Sequence, residues 1–100
     1  MRLGIVRGRV VLALADPSLR GTRFLLVEPV SARRLRTGGE EAPRPCLVVA
    51  DRNLGPATGQ LVAFVEGAEA ANPWHPGGAP VDATLSLLVE AYDYRPPETP

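Results

Sequence analysis

Apolar and polar residues alternate with a period of two near the start of the chain. The even positions from Val6 to Leu14 are apolar or glycine, and the odd positions include Arg7 and Arg9. This period is that of a β-strand, so the pattern predicts a strand over residues 3–15. Several odd positions are also apolar, which a strand with one solvated face would not need. The predicted strand therefore has apolar residues on both faces.

Further apolar segments bounded by turn residues predict four more strands, over residues 22–30, 45–50, 60–66 and 80–91. In the last one, Val81, Ala83, Leu85, Leu87 and Val89 would lie on one side, and Asp82, Thr84, Ser86 and Glu90 on the other. Residues 67–72 predict one helical turn, too short to be stable alone. Five strands predict a small all-β barrel or sandwich, and closure into a barrel would remove exposed strand edges.

The connections between these elements carry most of the proline, glycine and charge. Residues 16–21 predict a turn, since Asp16 precedes Pro17 and a glycine closes it. Residues 31–44 predict a hairpin tip or flexible loop, with contact to nucleic acid or peptide as the alternative. The 100 residues predict one domain over residues 1–92 and an extended or frayed proline-rich tail over residues 93–100.

Composition narrows the class of protein. Hydrophobic residues make up 45% of the chain and charged residues 22%, which argues against disorder. The formal net charge is zero, and this balance disfavours a dedicated nucleic-acid binder, which usually carries an excess of basic residues. No secretory signal or membrane-length apolar run is visible, and we expect a cytoplasmic protein without a membrane partner. Two-faced apolar strands indicate that other copies of the chain complete the burial.

Residues able to carry chemistry are few. Cys46 is the single cysteine, which excludes an internal disulfide, and its apolar surroundings predict a small buried hydrophobe. His75, the single histidine, has no ligand or nucleophile pattern around it, although a pairing with Cys46 stays open. Asp51 and Asp82 are either an acid–base pair or, as we favour, strand-end carboxylates that bind nearby backbone N–H groups. We therefore expect no catalytic residue, no metal and no cofactor.

A small barrel also suits single-stranded nucleic acid, and an OB-type binding module is the alternative function. Such modules use basic grooves and exposed aromatic side chains. The chain has five aromatic residues, Phe24, Phe64, Trp74, Tyr92 and Tyr94. Both phenylalanines lie in apolar strands and are predicted to be core residues, so the sequence shows no aromatic stacking surface.

The stretch RLGIVRGRVVLALADPSLRGTRFLLVEPV resembles the amino-terminal signature of the EutN/CcmL family, the pentameric vertex proteins of bacterial microcompartment shells. The matching positions are Arg2, Leu3, Gly4, Val6, Gly8, Val10, Val11, Pro17, Leu19, Gly21, Leu25, Leu26, Val27 and Pro29. VVAD (residues 48–51), LVAFVEG (61–67) and PVDATL (80–85) follow in the family's order. The resemblance covers about residues 2–91 and implies a five-stranded OB-like barrel with one short helix, assembled as a cyclic homopentamer.

The resemblance also implies a structural function. The pentamer would cap the vertices of a polyhedral shell tiled by hexameric proteins, with no catalysis. The family's loop near the five-fold axis corresponds here to candidate pore-lining residues, namely Gly55, Pro56, Ala57 and Thr58. This loop is one residue longer than the family's, and Gln60 replaces a glutamate. The segment Gly67–Ala71 lacks the arginine that the family carries there.

Contacts with other subunits are expected at four further residues. Arg7, Arg9 and Arg20 are candidates for the rim or the subunit interface, where they would pair with carboxylates. Because exposed ion pairs contribute little, shape and backbone contact should matter more. Trp74 either anchors a shell or subunit contact or covers its own barrel.

Overall fold

The structure, a computed structural model, describes residues 1–11, 17–37, 44–74 and 81–91. The described part contains five strands, β1 (Arg2–Val10), β2 (Arg23–Pro29), β3 (Leu47–Asp51), β4 (Leu61–Glu66) and β5 (Ala83–Leu88). It also contains the α-helix α1 (Ala32–Thr37) and two 3-10 helices, Pro17–Leu19 and Gly67–Trp74. The predicted proline-rich tail and the loop around His75 lie outside these residues.

The strands form a closed barrel in the order β1-β2-β3-β5-β4, which confirms the barrel and not the sandwich. β1 pairs antiparallel with both β2 and β4 and so closes the sheet on itself. β3 and β5 are parallel neighbours, and β4 and β5 are antiparallel. Closure satisfies the backbone hydrogen bonds that an open sheet would leave free at its edges.

Branched aliphatic side chains and Phe64 fill the barrel. The core consists of Val6, Leu25, Val27, Val49, Val62, Phe64, Ala83 and Leu85. Gly4 lies among them because a side chain would not fit. A Cβ built there would be 2.9 Å from the Glu28 carbonyl oxygen and closer still to Val27 Cγ1. Buried Phe64 supports its prediction as a core residue, whereas Phe24 is only half-buried.

The first strand is shorter than predicted. β1 ends at Val10, Val11 lies beyond the strand, and residues 12–16 are outside the described part of the chain. Arg7 and Arg9 are exposed, as the alternation predicts. The register against β2 shifts between Val6 and Gly8, so that Arg7 is the extra residue of a β-bulge.

The prediction of a hairpin tip or loop over residues 31–44 is wrong in its first part, because α1 forms there. The Ser31 hydroxyl accepts a hydrogen bond from the Arg34 N–H at 3.2 Å, and the Ser31 carbonyl accepts one from the Leu35 N–H. Serine is a preferred residue before a helix, and the Ala and Arg residues that follow are good helix formers. The charged residues and the later glycines of this segment favour a loop, whereas Ser31 and the helix formers after it favour a helix.

Cys46 is exposed and precedes β3, so its prediction as a buried strand residue is wrong. The strand predicted over residues 45–50 begins at Leu47, two residues later than predicted, and extends to Asp51.

β5 departs from the predicted alternation. Leu85 pairs with Phe64 and Leu87 pairs with Ala63, so Ser86 is an extra residue and a second bulge forms. Leu87 is consequently 41% exposed instead of facing the core. Thr84, predicted on the opposite side, is buried, and its hydroxyl donates a hydrogen bond to the Ala70 carbonyl at 2.5 Å.

Candidate functional site

The loop after β3 is organised by Asp51. The Asp51 side chain is buried, and its carboxylate accepts hydrogen bonds from three backbone N–H groups. The N···O distances are 3.2 Å from Asn53, 2.8 Å from Leu54 and 2.8 Å from Gly55. This confirms the interpretation of Asp51 as a strand-end carboxylate that binds nearby backbone N–H groups. Its carboxylate holds the backbone of the loop in place.

The same loop is fastened at its far end to β1. The Gly59 N–H donates to the Val6 carbonyl at 2.7 Å, and the Val6 N–H donates to the Gln60 carbonyl at 3.0 Å. Gly55 and Gly59 have φ values of +62° and +92°, a region that favours glycine. The Gln60 side-chain oxygen accepts a hydrogen bond from the Ala57 N–H at 3.2 Å, a role that a glutamate carboxylate could also fill.

The four candidate pore residues lie consecutively on this fixed loop. Gly55, Ala57 and Thr58 are exposed, and Pro56 is half-buried. Their backbone position is set from both ends, by the Asp51 carboxylate and by the contacts with β1. A loop held in this way presents a defined surface without needing core contacts of its own.

The Trp74 side chain contacts other residues of its own chain. Its indole N–H donates to the Ser18 carbonyl at 2.9 Å, which ties the second 3-10 helix to the first. The guanidinium of Arg52 lies 5.2 Å from the centre of the Trp74 ring and donates to the Pro73 carbonyl at 2.6 Å. The half-buried indole thus connects the start of the Asp51 loop with both 3-10 helices.

Glu28 is the centre of an ionic cluster on the outside of the barrel. Its carboxylate is buried and accepts from Arg7 Nε at 2.8 Å and from Arg34 Nη1 at 2.8 Å. The Arg44 N–H adds a longer contact at 3.4 Å. The hydrogen bond from Arg7 is the main cause that lowers the pKa of Glu28, with the Arg44 N–H and the charges of Arg7 and Arg34 adding to it against the effect of burial.

This Glu28 cluster was not predicted. The available signal is Glu28 itself, a single charge inside the otherwise apolar run FLLVEPV. A charge at such a position requires a partner when it is buried. The cluster joins β1, β2 and α1, and it places the Arg7 guanidinium against its own subunit.

Arg9 and Arg20 are exposed and line a surface groove of about 810 Å³. We call it the β1–β2 groove; among the described residues it is lined by Val6, Gly8, Arg9, Val10, Val11, Leu19, Arg20, Gly21, Thr22, Arg23, Phe24, Leu25, Pro56 and Thr58. These lining residues include arginines but no carboxylate. The groove therefore brings together two of the four predicted rim residues and two of the four predicted pore residues.

The described residues offer little for catalysis. They contain no group of three or more His, Cys, Asp or Glu side chains placed to hold a metal ion. Within the same ranges, every buried side-chain nitrogen or oxygen has a hydrogen-bond partner. Cys46 is exposed, and His75 lies outside the described residues.

No helix in the described ranges has the length and apolarity needed to cross a membrane.

Comparison with known proteins points to one family. The family model for EutN_CcmL, described as "Ethanolamine utilisation protein EutN/carboxysome", matches residues 1–89. No curated protein sequence matches the chain.

Solved structures share the fold along nearly the whole chain. The chain is similar to CcmL of Gloeobacter violaceus at 29% identity, covering 94% of this chain and 90% of that one, with a TM-score of 0.77. It is similar to EutN of Escherichia coli at 26% identity, with coverages of 94% and 89% and a TM-score of 0.75. It is also similar to GrpN, a pentameric microcompartment shell protein of Rhodospirillum rubrum, at 26% identity, with coverages of 96% and 100% and a TM-score of 0.74.

Proposed function

The chain belongs to the EutN/CcmL family, and we propose that it forms homopentamers that cap the vertices of a bacterial microcompartment shell. The main support for this function is the family match over residues 1–89, together with the closed five-stranded barrel of the structure. The similarity to GrpN, itself a pentameric microcompartment shell protein, supports the same assembly. The role is structural and needs neither a cofactor nor a catalytic residue of this chain.

In this pentamer, Gly55, Pro56, Ala57 and Thr58 line the opening at the five-fold axis. Support comes from their consecutive placement on a loop fixed by Asp51 at one end and by β1 at the other. Three of the four are exposed and none bears a charge. The opening would thus be lined by backbone and small side chains.

The rim arginines divide into two kinds. Arg9 and Arg20 are exposed beside the β1–β2 groove and form no ion pair with a described residue, so they are available to a neighbouring subunit. Arg7 is bound to Glu28 but keeps 42% of its side chain exposed, and it would contribute to the rim while stabilising its own barrel. Trp74 would act at the rim through the position that it gives to the first 3-10 helix.

The partners of the pentamer are the hexameric proteins that tile the shell, and the location is the cytoplasm. The alternative of single-stranded nucleic-acid binding gains no support from the described aromatic residues. Phe64 is buried in the core, Phe24 is half-buried, and the Trp74 ring is covered by Arg52. A stacking surface of the kind used by OB-type modules requires exposed rings.

Co-assembly tests this function directly. The chain would be produced together with hexameric microcompartment shell proteins, and the particles would be imaged by electron microscopy with and without it. We expect closed polyhedra with the chain at their vertices, and sheets, tubes or leaking shells when it is omitted. Particles that close equally well without the chain would contradict the proposal, as would salt-dependent binding of single-stranded nucleic acid by the purified protein.

A further inference from the structure

A second surface lies on the other side of the candidate pore loop from the β1–β2 groove. It is formed by Gln60, by Leu87 and Leu88 at the end of β5, and by Val89, Glu90 and Ala91 directly after that strand, and we call it the β5-end patch. The bulge at Ser86 turns Leu87 outward, where it is 41% exposed. Bulges often redirect a side chain in this way. The patch therefore combines outward aliphatic groups with the exposed carboxylate of Glu90.

The two surfaces flank the same loop around the barrel. The groove lies on β1 and β2, the patch lies at the junction of β4 and β5, and β1 is next to β4 in the closed sheet. Pro56 and Thr58 of the loop line the groove, whereas Gln60, where the loop ends, lines the patch. A loop facing the axis of a ring would thus have one surface toward each neighbour.

The two surfaces are complementary in charge. Arg9 and Arg20 at the groove form no ion pair with a described residue, and neither does Glu90 at the patch. Complementary charges across an interface direct association and fix its register. Both surfaces also expose aliphatic side chains, with Val11 at the groove 86% exposed and Leu87 at the patch 41% exposed. Apolar groups exposed in this way gain free energy when a partner covers them.

We propose that the β1–β2 groove of one subunit binds the β5-end patch of the next, with Glu90 facing Arg9 and Arg20. The occupant of the groove is a second copy of this chain. Two different surfaces meeting head to tail are what a closed ring requires, whereas a two-fold dimer would bring one surface against itself. This inference rests on the proposed pentamer and assigns the surfaces that build it.

Cysteine cross-linking tests the pairing. In a Cys46→Ser background, Val11→Cys and Leu87→Cys would be introduced singly and together, and each protein treated with a short thiol-specific cross-linker. We expect the double variant to give a ladder of covalent species ending at five chains on a denaturing gel. Each single variant should give no ladder, since one surface does not meet its own copy. A double variant that is pentameric by native mass spectrometry but yields no ladder would overturn the pairing.

Charge exchange supplies an independent test that does not depend on cross-linking. Arg20→Glu should raise the concentration at which half the chains are assembled by about tenfold or more, and adding Glu90→Arg should largely restore assembly. Arg33→Glu, at an exposed arginine of α1, is the matched control and should leave assembly unchanged. An equal loss of assembly in Arg20→Glu and Arg33→Glu, or no loss of assembly in either variant, would overturn the proposed pairing of the two surfaces. Neither result would contradict the pentamer itself. A wild-type protein that never forms pentamers would instead overturn the proposed function, and this inference with it.

Discussion

Gly4 occupies a point of the barrel where backbone and core side chains leave no space for a methyl group. Gly4→Ala would press its Cβ against the Glu28 carbonyl and Val27, and both belong to β2. Because overpacking a core typically costs about 1–3 kcal/mol, we expect the free energy of unfolding to fall by that amount. Urea unfolding at a fixed protein concentration measures the change.

Gly8→Ala is the matched control for Gly4→Ala, and the two variants would be compared at a protein concentration low enough to dissociate the pentamer, because Gly8 lines the β1–β2 groove. A Cβ at Gly8 would meet only Leu26 Cδ1, at 3.8 Å, which is an ordinary contact. The free energy of unfolding should therefore change by less than about 0.5–1 kcal/mol. Equal losses in the two variants would contradict the crowding ascribed to Gly4.

Glu28 makes stability depend on pH. Arg7 and its neighbours hold the pKa of Glu28 below the usual value of 4.5, so ionised Glu28 stabilises the folded chain. That contribution is complete above the unfolded-state pKa and is lost as pH falls through the lower folded-state pKa. Glu28→Gln should reduce the free energy of unfolding by about 1–3 kcal/mol at neutral pH.

Denaturant unfolding from about pH 7 to about pH 3 tests this, because the gap between wild type and Glu28→Gln should narrow as Glu28 takes up its proton. Glu66→Gln is the control, since Glu66 pairs with Arg2 at an exposed site and should cost under about 1 kcal/mol. A gap that stays constant over the whole pH range would contradict the role given to the Glu28 charge.

For single residues, the sequence predicted exposure and local backbone contacts, but it did not predict contacts between residues that are distant along the chain. The exposure of Arg7 and Arg9 follows from alternation alone, and the backbone role of Asp51 follows from the habits of short carboxylates at strand ends. The crowding at Gly4 and the pairing of Glu28 with Arg34 depend on strands and helices that meet only in the folded chain. No local pattern contains that information.

The loop between β3 and β4 takes its shape from one carboxylate. Asp51→Asn leaves one oxygen and places an amide group where a backbone N–H now finds an acceptor. We expect a loss of about 1–3 kcal/mol in the free energy of unfolding. The N–H groups of Leu54 and Gly55 should exchange with solvent about tenfold faster or more, as measured by hydrogen exchange. Asp82→Asn, at an exposed position, should change neither quantity.

Trp74 offers a way to separate its two predicted roles. Trp74→Phe removes the N–H donated to Ser18 and weakens the stacking with Arg52. If Trp74 serves its own barrel, as these contacts favour, the free energy of unfolding should fall by about 1–2 kcal/mol while the pentamer persists. Thermal unfolding and native mass spectrometry measure the two effects. Loss of the pentamer with unchanged stability would instead favour the anchor role.

The elements themselves were largely predictable, and their details were not. Five apolar segments became five strands in the described chain, in the predicted order. α1 was missed because Ser31 was not recognised as its start. The bulges at Arg7 and Ser86 were missed because a bulge arises from the register between two strands, which the alternation within one strand does not reveal. This is why Leu87 was placed on the wrong side.

The whole molecule combines a small barrel with surfaces that a single copy leaves uncovered. The pattern of apolar and polar residues did not distinguish a barrel from a sandwich. The family resemblance and the closed sheet both indicate the barrel. The excess of apolar strand faces indicated further copies, and Val11, Val48 and Leu87 are among the apolar side chains left exposed. A chain of this size gains stability from association because it buries a small share of its surface alone.

The proposed function requires this chain to assemble as a pentamer. Native mass spectrometry of the purified protein at micromolar concentration measures the number of chains in the assembly, and electron microscopy of the same sample gives its symmetry. We expect a dominant species of five times the 10.6 kDa chain mass, with five-fold symmetric particles. A monomer or dimer as the only species across that concentration range would contradict it.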